Sequence, residues 1–182
     1  MTNAEKILLS VDRHLTTPVD ITLYGRAAIT LGYPGLLIGQ EQSLDVDAVL
    51  WNGQAEFLLR ETDFWAALEA ANHDMETSGL YMSHLFDESQ VILTPDWRQH
   101  RVVIPGEWRR LSVSRLGDGD LLLSKMMRED ALDLTDAQLI IRAAGFGEAD
   151  VLHWIERARV PDSAEVQDAF GKVSKRILST LR

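Results

Sequence analysis

The sequence predicts an α+β fold, a small mixed β-sheet flanked by helices with a helical C-terminal part. Three observations carry that expectation. Strand-like runs are confined to about residues 20–115, helical periodicity occupies both ends, and 182 residues with 46% apolar and 25% charged side chains suit a domain with a substantial core and a small helical appendage. The expected division is 1–117 for the α/β core and 118–182 for the helical part.

Residues Ala4 to Leu15 place Ile7, Leu8, Val11 and Leu15 at helical spacing. Ile21 to Tyr24 reads as a strand stopping at Gly25, and Arg26 to Leu31 as a short helix ended by Gly32 and Pro34. A polar connection, Gly39 to Ser43, leads into the strand Ser43 to Trp51, which Asn52-Gly53 terminates. Ala55 to Met75 is the longest helical pattern, with Phe57, Leu58, Phe64, Trp65, Leu68 and Ala71 as core positions. Leu80 to Phe86 reads as a strand or an irregular segment, followed by strands at Gln90–Thr94, Arg101–Ile104 and Arg110–Ser114. Gly119-Asp120 is expected to cap a helix from Leu121 to Glu129, and Thr135 one from Thr135 to Ala144. Helices over Asp150–Arg159 and Ser163–Leu181 complete the chain. The five tryptophans read as packing residues.

The chain has no cysteine, which excludes disulfides and thiolate zinc sites. No apolar run approaches the roughly 20 residues of a bilayer span, and the N-terminus does not read as a signal peptide. A cytoplasmic protein without membrane partners is expected. A net charge of −10 argues against broad, non-specific DNA binding. The charge is uneven, since residues 1–96 hold 4 basic and 15 acidic side chains and residues 97–182 hold 14 and 13. Arg98, Arg101, Arg109, Arg110 and Arg115 read either as a local basic surface or as solvated strand residues neutralising acids of the first half.

Asp45 and Asp47 alternate along a strand, so both carboxylates project from one face while Val46, Ala48 and Leu50 share the other. Carboxylates so placed repel each other unless a hard divalent cation joins them. Gly25, where a strand turns into a helix, leaves backbone N–H groups open at a helix N-terminus, a site for phosphate. Each feature also has a plain structural reading, a backbone turn and a chance D-x-D. His84 reads as facing the cleft or as a structural histidine.

Taken in this order, the glycine turn and the D-x-D strand resemble the nucleotidyltransferase fold of the polymerase-beta type. The segments Tyr24-Gly25-Arg26-Ala27-Ala28, Ser43-Leu44-Asp45-Val46-Asp47, and Asp120 to Arg128 with Asp130, Asp133 and Asp136 look like blocks of uncharacterised bacterial nucleotidyltransferase-like proteins. Those proteins are distantly similar to AbiEii-type toxins of toxin–antitoxin systems. The resemblance covers about residues 20–145. It implies a sheet of the nucleotidyltransferase type, Mg2+ held by Asp45 and Asp47, and a nucleoside triphosphate contacted by Gly25, Arg26, Ser43 and Lys125. It also implies that Asp133, with Asp130 as the alternative, completes a catalytic set of Asp45, Asp47 and Lys125. Lys125 is therefore expected near the aspartate pair; taken alone, it reads as a surface lysine paired with Glu129. Two departures stand out. Arg26 occupies the place of a second small residue, and no third aspartate lies on an obvious neighbouring strand, Asp96 being the one available. The implied activity is transfer of a nucleoside monophosphate from the triphosphate to a hydroxyl of RNA or protein, with a cognate partner protein in a toxin–antitoxin-like system. The alternative is an inactive nucleotide-sensing or partner-binding module.

Overall fold

The computed structural model describes residues 1–37 and 43–181, and Gly39–Gln42 of the expected polar connection lie outside the described residues. The chain divides into two compact units, residues 1–87 with 102–115 and residues 88–101 with 116–182. The segment 88–101, expected with the α/β core, thus belongs to the helical unit.

The first unit runs α1 (Asn3–His14), β1 (Val19–Tyr24), α2 (Gly25–Gly32), β2 (Asp45–Leu50), α3 (Gln54–Glu61), α4 (Phe64–Met75), β3 (Tyr81–Asp87), β4 (Val102–Val103) and β5 (Leu111–Arg115). The five strands form one mixed sheet ordered β3-β2-β1-β5-β4. β1 is antiparallel to β2 and parallel to β5, β2 is parallel to β3, and β4 is antiparallel to β5. Alternation sorts its side chains. Ile21 and Leu23 of β1, with Val46, Ala48 and Leu50 of β2, are buried; α2 packs on both strands and α1 on β2, while α4 packs on α1 and β3, and Ile7, Leu8, Val11, Ala27, Ala28, Phe64, Leu68 and Ala71 of these helices are buried.

Two buried or partly buried carboxylates fasten this unit. Asp12 of α1 accepts backbone hydrogen bonds from Arg109, Arg110 and Leu111 at 2.7–2.9 Å. Burial pushes its carboxyl up, but the three N–H donors and the Arg109 charge outweigh that and hold it below the usual range. Asp63 accepts from the backbone and hydroxyl groups of Thr16 and Thr17, and these four donors hold it lower still against the desolvation. The same clamp breaks the expected Ala55–Met75 helix in two, since Thr62 and Asp63 leave helical geometry between α3 and α4. With its phase no longer tied to α4, α3 buries Leu58 and leaves Phe57, expected in the core, half exposed.

A group whose pKa is depressed by folding contributes stability that is complete above its unfolded value near pH 4 and is lost as pH falls through the folded value. Acid titration followed by circular dichroism should therefore show the protein losing stability below about pH 4. Asp12→Asn and Asp63→Asn should each flatten that dependence.

The second unit contains three-residue and four-residue 3-10 turns at Glu88–Gln90 and Trp97–His100, then α5 (Asp118–Ser124), α6 (Ala131–Ala144), α7 (Glu148–Arg157) and α8 (Ala164–Thr180). Of the expected Gln90–Thr94 strand, Gln90 is exposed and Val91–Thr94 is a buried segment with an isolated bridge from Leu93 to Arg159. Asp120 caps nothing. It lies fully buried in α5, accepting from the Thr94 N–H and hydroxyl at 2.7 and 2.9 Å and pairing with His100 at 3.0 Å. Gly119 is there because the Trp154 ring lies against it, where a Cβ would stand 2.0 Å from a ring carbon. α5 closes early, at Ser124, because Lys125 and Met126 tighten to i−3 carbonyls. α6 begins four residues before Thr135, because Asp130 accepts from the N–H groups of Leu132 and Asp133. Among the described residues no helix is long and apolar enough to cross a membrane.

Candidate functional site

β1 ends at Tyr24 because Gly25 takes φ +69°, a left-handed value that side chains resist. α2 begins at that glycine, and Tyr24 caps it without a side-chain hydrogen bond. Tyr24 lies opposite Asp47 in the β1/β2 pairing, which brings the turn against the second aspartate. A Cβ on Gly25 would stand 3.1 Å from Asp47 Oδ2. Gly25→Ala would add left-handed strain to this close approach, and a loss of about 1–2 kcal/mol is expected by chemical denaturation. Arg26, half buried, follows as the second residue of α2, and its carbonyl accepts from the Thr30 hydroxyl at 3.0 Å.

Asp45 and Asp47 occupy alternate half-buried positions of β2. The Ser43 hydroxyl donates to Asp45 Oδ1, and the Ser43 carbonyl accepts from the Asn3 side-chain amide at 3.3 Å. The register against β3 shifts between Val46 and Asp47, so Val46 faces Met82 and Asp47 faces His84, with Ser83 as the extra residue. His84 Nδ1 lies 3.1 Å from Asp47 Oδ1 and also 3.1 Å from the Ser83 hydroxyl. Its ring stacks on Phe86 at 5.7 Å between centroids, and Phe86 meets Tyr24 edge-on at 5.9 Å. One ligand atom from each of Asp45, Asp47 and His84 falls within 4.8 Å of the others. Two carboxylates and an imidazole so gathered are a donor set for a divalent cation.

The other expected site residues belong to the second unit. Lys125, rather than being a surface lysine paired with Glu129, is buried with its ammonium 3.0 Å from Asp133 and 2.9 Å from Asp136. Arg128 holds the other Asp133 oxygen at 2.8 Å, and Glu129 pairs with Lys172. Asp130 is the α6 cap, its carboxyl held low first by the Asp133 N–H. Asp96 makes two 2.7 Å bonds to Arg157. Of the five arginines considered as a basic surface, Arg115 is buried with its guanidinium 4.5 Å over the Tyr33 ring, while Arg98, Arg109 and Arg110 are exposed.

Of Asp45, Asp47 and His84, His84 has the weakest sequence signal. Simple alternation puts Ser83 or His84 opposite Asp47 according to register, and only the bulge decides. The Tyr24–Phe86–His84 aromatic row carries no local sequence signal. Comparison with protein-family models, with curated proteins and with solved structures gives no match.

Proposed function

We propose that this protein is a divalent-cation-dependent nucleotidyltransferase, Mg2+ being the cation that the resemblance implies. The observation that carries the reading is the junction of Gly25 and Asp47: a left-handed glycine opens α2 within contact distance of the second carboxylate of the D-x-D strand. A cation held by Asp45 and Asp47 and a phosphate held by the first N–H groups of α2 would then neighbour one another. Phosphoryl-group transfer asks mainly for that positioning and charge neutralisation. In the proposed reaction the bond from the α-phosphorus to pyrophosphate breaks, a bond from an acceptor hydroxyl oxygen to that phosphorus forms, and the hydroxyl proton leaves to solvent. RNA or protein supplies the hydroxyl, and a cognate partner protein and a cytoplasmic setting belong to the same proposal.

One observation favours the second reading, an inactive nucleotide-binding module. The Lys125 ammonium is enclosed by Asp133 and Asp136, so no cation from that position is presented to a phosphate. Pyrophosphate release separates the two. Incubation with each nucleoside triphosphate, Mg2+ and a mixture of cellular RNA and protein should release pyrophosphate, and Asp45→Asn should stop it. Nucleotide binding without release would establish the binding module.

A further inference from the structure

We propose that His84 is the third ligand of the Asp45/Asp47 site and that its imidazole makes the site prefer Mn2+ to Mg2+. This rests on the reading that Asp45 and Asp47 hold a divalent cation, and it goes beyond it in naming the third donor and the metal.

Position comes first. The bulge at Ser83 sets His84 directly across from Asp47 on the adjoining strand, and a bulge that re-aims one side chain is a device often found beside functional sites. The 3.1 Å between His84 Nδ1 and Asp47 Oδ1 is close to the separation of neighbouring ligands around an ion with bonds of about 2.1 Å. Asp45 offers a carboxylate oxygen within 4.8 Å of both. The imidazole is also oriented. Phe86 stacks on one face of the ring at an interplanar angle of 15°, with Tyr24 against Phe86 in turn. Half of the His84 side chain is open to solvent, so an ion reaches it without rearrangement of the core.

The chemistry of the donors then selects the metal. Mg2+ takes oxygen ligands, keeps several waters and gains little from imidazole. First-row transition ions accept nitrogen, and Mn2+ among them also suits carboxylates, so two aspartates and one histidine match it best. Asp96, the other carboxylate considered, is engaged by two 2.7 Å bonds from Arg157. Two carboxylates with a neutral imidazole carry two negative charges, which one divalent ion balances.

The test is metal binding by the whole chain without nucleotide, using loss of the free Mn2+ electron paramagnetic resonance signal and Mg2+ competition. The parent should bind Mn2+ at least about tenfold more tightly than Mg2+. His84→Ala should weaken Mn2+ about tenfold or more while changing Mg2+ less than about threefold, and His84→Asp should shift the preference toward Mg2+. Circular dichroism confirms that the variants fold. Unchanged Mn2+ affinity in His84→Ala, or equal Mn2+ and Mg2+ binding by the parent, overturns the proposal and leaves the aspartate site standing. Parent-like Mn2+ binding by Asp45→Asn/Asp47→Asn, or no binding of either ion by the parent, overturns the underlying reading instead.

Discussion

Lys125→Met should lower the folding stability by about 3–5 kcal/mol, read as a reduced urea midpoint with an unchanged slope. Lys125 is buried, and its ammonium lies 2.9–3.0 Å from Asp133 and from the fully buried Asp136. Removing the cation leaves two carboxylates sharing one small volume; Asp133 keeps Arg128, while Asp136 loses the ammonium that lies 2.9 Å from it. Breaking a buried pair costs far more than the pair contributes, because the stranded charge has lost its water. Lys125→Met with Asp136→Leu should therefore recover much of the loss, since replacing both partners by apolar groups of similar size is often close to neutral. A single variant within about 1 kcal/mol of the parent would mean that the cluster is better hydrated than its burial indicates.

That cluster shows where sequence is informative and where it stops. Alternating and 3.6-residue periodicities place β1, β2, β5, α1 and α8 within a few residues, because these elements bury a side and periodicity records burial directly, while the glycines at 145 and 147 mark the start of α7. Asp133 was expected beside Lys125, and it is there. What periodicity cannot record is a contact made across a break. The α3/α4 interruption depends on Thr16 and Thr17, some 46 residues away in sequence, reaching the Asp63 carboxylate. Val91–Leu93 is apolar for a different reason than a ladder strand, being buried within the helical unit. In the site, Asp45 and Asp47 were legible from alternation and Gly25 from its place between a strand and a helix. His84 depended on a one-residue bulge whose register no local pattern encodes.

The second large effect is expected at the sheet. Asp45→Asn with Asp47→Asn should reduce divalent-cation binding at least about a hundredfold and abolish cation-dependent nucleotide binding, measured by calorimetry. Both substitutions keep size and shape, and both side chains are only half buried, at the first and third positions of a strand whose buried residues are Val46, Ala48, Val49 and Leu50. The fold should therefore persist. Without metal, the double variant should melt at or above the parent temperature, since two neighbouring carboxylates no longer repel. A variant that binds cation and nucleotide like the parent would remove the aspartates from the site.

The most direct measurement of the central claim, that the Gly25 turn and the Asp45/Asp47 edge hold a cation and a triphosphate together, is the melting temperature of the parent with ion and nucleotide added separately and jointly. Mg2+ or Mn2+ together with a nucleoside triphosphate at about 100 times its Kd should stabilise the chain by about 2.7 kcal/mol, a rise of roughly 5–10 °C. Either alone should give much less. A melting temperature unmoved by any pairing of ion and nucleotide would contradict the claim.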